Sequence, residues 1–163
     1  MPPQTITRAA WVALAAFVVQ NIEESLFLPA WLARSSLHLM PVSPGAFRLA
    51  TLALTLFGAA LVGLALRRGD RSAWSGWALS LAAGALVANA ITHLSLSLVT
   101  GTLMPGAVSG GLLQGPAAIW LLVCLVRHGW ISPRAAVLSV LLGFPISAGL
   151  AAASLTATRH LVG

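Results

Sequence analysis

The chain has 163 residues, 58% of them hydrophobic and only 7% charged, with a mean hydropathy of +0.93, whereas a soluble domain carries about 25% charged residues. That composition excludes an ordinary soluble globule and places the chain in a lipid bilayer as a single domain whose architecture is a set of spanning helices. The net charge of +6 comes from nine arginines and no lysine, scattered along the chain; without a basic face interleaved with polar residues, nucleic acid is excluded as a partner.

Five runs are apolar enough to span: residues 9–29, 46–66, 74–99, 107–126 and 135–158. Each has roughly the 20 residues that cross ~30 Å of hydrocarbon. They are continuously apolar rather than alternating, so the expected fold is an all-α polytopic transmembrane bundle and not a barrel.

The first run contains "QNIEESLF", with Glu23 and Glu24 adjacent in a chain whose one other acid is Asp70. Arg8 followed by the apolar residues 9–19 also outlines a secretory signal, but Trp31 stands where a cleavage site needs a small residue. In a helix Gln20 lies one turn before both glutamates, at spacings of i, i+3 and i+4. The glutamates themselves diverge by about 100°, so only one can point squarely at a given neighbouring helix.

The third run carries the polar stripe Asn89, His93 and Ser97, and a small-residue face of Ser80, Gly84 and Ala88 suited to close helix packing. The fourth carries Gln114, with Gly111 and Gly115 as a GxxxG pair, and Pro116, which predicts a kink. Its one cysteine, Cys124 in "IWLLVCLV", has no partner for an intrachain disulfide and reads as a small hydrophobe. Pro145 predicts a kink in the fifth run. Trp11, Trp31, Trp74 and Trp130 fall near run ends, where interfacial aromatic belts form.

Arginine placement sets the expected orientation. Arg8, Arg67, Arg68, Arg71, Arg127 and Arg134 fall on one side of the bundle, against Arg34, Arg48 and Arg159 on the other. The richer side is cytoplasmic by the positive-inside rule, which places the N-terminus inside and the C-terminus outside.

Depth links the polar residues. Glu24 precedes Pro29 by five residues, His93 precedes Gly101 by eight, and Gln114 follows Gly106 by eight. Helix rise puts all three roughly 8–12 Å below the outer end. Ionisable groups inside spans usually face the bundle interior and mark a site, so Glu23, Glu24 and His93 are the candidate catalytic residues, supported by Gln20, Asn89 and Gln114. His38, in the outer loop, is a further candidate ligand.

In the order of these features the chain resembles the HXXEE domain family of small bacterial integral membrane proteins, which pairs a His-x-x-Glu-Glu motif with a later histidine and a Tyr-x-Pro-Gly motif. The matching stretches are "QNIEE" (20–24), "NAITH" ending at His93, and "LMPG" (103–106), with Gln20 in place of the first histidine and Leu103 in place of the tyrosine. The resemblance implies a bacterial plasma membrane as the location. It also implies one functional unit of Glu23, Glu24, His93, Pro105 and Gly106, and supplies no reaction.

Three functions fit these residues. The first is an intramembrane acid/base enzyme on an apolar lipid or isoprenoid-type substrate, since two neighbouring carboxylates in low dielectric tend to share a proton. The second is a divalent metal site, zinc for example, on Glu23, Glu24 and His93, or a proton relay in a small carrier; five helices would then be expected to form a homo-oligomer. Gln20, a poor transition-metal ligand, weighs against the metal. The third is a structural polar cluster that holds the helices together. No nucleotide fingerprint, nucleophile elbow or CxxC pair is present.

Overall fold

The computed structural model describes residues 2–35, 42–68 and 73–162, with the backbone alone at residues 73 and 159–162. His38, Asp70 and Arg71 lie outside the described residues. Among those described there is no strand. The helices are α1 (Gln4–Arg34), α2 (Pro44–Arg68), α3 (Ala73–Thr100), α4 (Ala107–Arg127) and α5 (Pro133–Val162), and all five are long and apolar enough to cross a membrane.

The helices outrun the apolar runs. The largest extension is in α1, which passes through Pro29 and ends at Arg34. Proline has no N–H and leaves the carbonyl four residues earlier without its helical donor. Here that carbonyl is Ser25 O, and Arg48 of α2 donates its Nε–H to it at 3.5 Å. A side chain from the neighbouring helix thus replaces the missing backbone bond. Glu24 consequently lies ten residues, and not five, before the end of its helix.

Pro116 does not act as a simple kink either. It follows a π-helical turn, Gly110–Gln114, in which Gly115 donates its N–H to Gly110 O, one residue farther back than in an α-helix. A proline ring collides with the carbonyl at i−4, here Leu112, and one widened turn accommodates that collision. The same stretch is small enough to lie on α3: a Cβ at Gly110 would come within 3.4 Å of Ala90, and one at Gly111 within 3.4 Å of Leu94.

The closest helix pair is α3 with α5. Gly84 and Gly143 each leave room for the other helix's backbone, since a Cβ on Gly84 would collide with Ser139 O and one on Gly143 with Gly84 O. Ser80 and Ser139 share a hydrogen bond across the same seam. The small-residue face expected on α3 is therefore an interface in which backbone contact replaces side-chain packing.

On α1 the buried column is Ile6, Ala9, Ala10, Ala13 and Ala16, packed with Leu79, Leu121 and Leu125. The outer faces are apolar too, with Leu98 85% and Leu112 73% exposed, as lipid contact requires. At the end of the bundle that bears the N-terminus, Thr5 Oγ1 and His128 Nε2 lie 2.8 Å apart and the Arg68 guanidinium sits 4.8 Å over the Trp74 ring. At the far end, Trp31 donates its indole N–H to Thr102 Oγ1 at 3.1 Å.

Candidate functional site

The site is built around the turn that leads into α4. Ala107 donates its N–H to Met104 O at 3.0 Å, and Gly106 has φ +89° and ψ −12°. This is the signature of a type II turn with proline at its second position and glycine at its third, the latter because φ is positive there. In such a turn the central peptide stands across the turn plane, with its C=O on one side and its N–H on the other.

Both ends of that peptide are held by the polar helices. His93 Nδ1 donates to Pro105 O at 2.7 Å, and Gly106 donates its N–H to Glu23 Oε1 at 2.9 Å. Ser97 supports the approach, accepting from Met104 N at 2.9 Å and donating to His93 O at 2.8 Å. The packing tolerates no side chain at Gly106: a Cβ would lie 2.8 Å from His93 Nδ1 and 2.9 Å from Glu24 Oε1.

Glu24 completes the arrangement. Its Oε1 accepts from Gln20 Nε2 at 2.8 Å and faces His93 Nε2 at 3.0 Å, with both side chains nearly buried. Pro105 O can only accept, so His93 Nδ1 must carry a hydrogen. A second hydrogen must then lie between Nε2 and Glu24, because a lone pair facing a carboxylate would repel it. The pair is either imidazolium with carboxylate or neutral imidazole with carboxylic acid, and in both arrangements it holds one transferable proton and is neutral overall. Both bonds fall on Oε1, which leaves Glu24 Oε2 without a hydrogen bond among the described residues.

Glu24 is also part of the wall of a cavity. Glu24, Asn21 and Asn89 line the far end of a space of about 550 Å³ whose remaining lining is almost wholly apolar, including Leu14, Phe17, Leu54, Phe57 and Leu86. A depression of about 930 Å³ between α1 and α2, around Trp11 and Arg67, contains none of the site residues. Trp11 is roughly 20 Å from Glu24 by helix rise, and chemistry points to the smaller, better-walled space.

The sequence-derived candidates separate into three groups. Gln20, Glu23, Glu24, His93, Pro105 and Gly106 come together. Asn89 lies on the cavity wall with no hydrogen-bond partner among the described residues. Gln114 goes elsewhere: it is fully buried, and its Nε2 donates to Leu86 O at 2.9 Å, two turns before His93 on α3. The π-turn displaces residue 114 from the angular position that a regular helix predicts.

Thr55 was not singled out from sequence. It accepts from Asn21 Nδ2 at 2.7 Å and donates to Thr51 O at 2.8 Å, and the Thr51–Thr55 spacing on an otherwise apolar helix was the available signal. Gln20 Oε1, Ser109 Oγ and Gln114 Oε1 are buried without partners, a condition that typically costs about 1–3 kcal/mol per group. Among the described residues no three His, Cys, Asp or Glu side chains are grouped to hold a metal ion. Glu23 accepts from the Gly106 N–H while Glu24 pairs with His93, so the two carboxylates approach the same turn with different partners.

No curated protein and no solved structure matches this chain. The sequence profile of the family described as "Protein of unknown function with HXXEE motif" matches residues 11–121, about two-thirds of the chain. The matched region contains the glutamate pair, His93, the Pro105–Gly106 turn and the π-turn. Gln20, at the motif's histidine position, donates to Glu24 as an imidazole N–H would. The chain is a multi-pass helical protein that belongs to the HXXEE family.

Proposed function

We propose that this protein is a membrane-embedded acid/base catalyst acting on an apolar lipid or isoprenoid-type substrate, with its N-terminus on the cytoplasmic side of the plasma membrane. The observation that carries this reading is the proton arrangement. His93 is bound to Pro105 O through Nδ1 and so shares one proton with Glu24, and Glu24, whose Oε2 has no hydrogen bond among the described residues, lines an apolar cavity. A carboxyl group that can give or take a proton there, with an imidazole behind it to restore its state, has the parts of general acid/base catalysis. The low dielectric strengthens each of these interactions.

The reaction class favoured is proton transfer at carbon. Glu24 removes a proton from one carbon of the substrate and the Glu24–His93 pair returns one to another, so a double bond moves with no net change of atoms or charge. A carrier of protons or ions needs polar groups along its whole path, and the cavity lining towards the N-terminal end is apolar. Six arginines against three support the orientation.

The test is to incubate the purified protein in deuterated water with a membrane lipid extract and follow deuterium entering carbon-bound positions by mass spectrometry. Wild type is expected to label at least one apolar lipid, and Glu24→Gln to slow the labelling by about 100-fold or more. Unlabelled lipid with wild type, or equal labelling by the variant, would overturn the proposal.

A further inference from the structure

The cavity beside Glu24 is polar at one end and hydrocarbon-like along the rest. On α1 its lining runs from Ala10 to Glu24, and on α3 from Leu81 to Asn89, which correspond to roughly 21 Å and 12 Å of helix rise. Its volume of about 550 Å³ lies within the range of roughly 300–1,000 Å³ typical of small-molecule sites. Walls come from four helices and from Leu121 of α4, and α5 contributes Pro145 to Ala151.

The polar end restricts the head group of any occupant. Among the described residues no arginine, lysine or histidine lines the cavity, so a phosphate or carboxylate head would find no counter-charge there and would face Glu24. A cationic head fares no better, because the Glu24–His93 pair is neutral in both of its proton arrangements. The groups available are Glu24 Oε2 and the unpartnered amide of Asn89, with Asn21 alongside, already bound to Thr55 through its Nδ2, and Ser147, whose hydroxyl already donates to Phe144 O at 3.1 Å. Together they ask for a head that both donates and accepts a hydrogen bond. A hydroxyl does both, a ketone or ester only accepts, and an alkane does neither.

We infer that the cavity binds a long-chain lipid alcohol, its hydroxyl between Glu24 Oε2 and the Asn89 amide and its chain lying along Phe17, Phe57 and Leu86 towards the N-terminal end of the bundle. This deepens the acid/base reading of the same site and rests on it only for what happens after binding. The source of the alcohol, straight-chain or isoprenoid, is separated by the probes below.

The experiment measures thermal stabilisation and native mass spectra of the purified protein with four probes: hexadecanol, farnesol, hexadecanoic acid and hexadecane. At least one alcohol is expected to bind about tenfold tighter than the acid and the alkane, the scale of one buried polar group left unpaired. The alcohol that binds better identifies the chain type. Asn89→Leu is expected to abolish the preference for alcohol over alkane, and Gly58→Phe, which fills the space beside Phe17, to abolish binding of every probe.

Acid or alkane binding as well as both alcohols would overturn the inference, as would an unchanged preference in a folded Asn89→Leu protein. If neither variant folds, the order of the probes on wild type decides alone. Alcohol binding without deuterium labelling of any lipid would leave this inference standing and remove the catalytic one. Labelling of a lipid without alcohol binding would do the reverse.

Discussion

Glu23 and Glu24 are neighbours in the chain and serve different partners. Glu23 accepts from the Gly106 N–H and so positions the turn, while Glu24 pairs with His93 and lines the cavity. Glu23→Gln keeps an acceptor but removes its charge, and is expected to lower stability by about 1 kcal/mol while leaving the Glu24–His93 pair in place. Glu24→Gln is expected to cost about 1–2 kcal/mol, because both bonds of Glu24 fall on Oε1 and a single amide atom cannot accept from Gln20 and also donate to His93 Nε2, and to lose the transferable proton. Chemical denaturation and the deuterium assay on the two variants check the contrast, and equal effects on both readouts would contradict it. Gly106→Ala meets both a left-handed backbone and a collision with His93 and Glu24, so a loss of about 2 kcal/mol or more is expected in the same denaturation experiment. Matching depth made the approach of Glu24 to His93 legible in the sequence. The other half was marked only by the family resemblance, which grouped Pro105 and Gly106 with the glutamates, because no side-chain pattern reports where the Pro105 carbonyl points.

At the scale of helices, two prolines, Pro29 and Pro116, are each accommodated by a local arrangement. Pro29 frees Ser25 O for Arg48, and Pro116 follows the π-turn whose last residue, Gln114, donates to Leu86 O. Hydrophobic periodicity locates a span but carries no information about an inserted residue within it, which is why Gln114 was expected in the site and is found against Leu86. The α3–α5 seam was legible as a run of small residues. Its tightness implies that Gly84→Leu cannot be accommodated without separating the helices, with an expected cost of about 3 kcal/mol or more. Thermal melting in detergent checks this, and a variant that melts within a degree of wild type would contradict the contact.

At the scale of the whole molecule, the number of spans and the apolar outer surface follow from composition, since a chain this poor in charge has no other stable environment. The cavity does not follow from any single helix. It exists where α1, α2, α3 and α5 fail to meet, and only its polar end was marked in the sequence, by Glu24 and Asn89. The arginine asymmetry predicts Gly163 outside and the N-terminus inside; reporter fusions at both ends check it, and an external N-terminus would put the Glu24 end of the cavity on the cytoplasmic side. The most direct test of the account is nitrogen-15 NMR of histidine-labelled protein in bilayers, with His93 assigned by difference against His93→Gln. His93 is expected to show a protonated Nδ1 in wild type and in Glu24→Gln, together with a hydrogen-bonded Nε2 whose shift changes when Glu24 is replaced. An unprotonated Nδ1, or an Nε2 indifferent to Glu24→Gln, would contradict the shared proton on which the proposed chemistry depends.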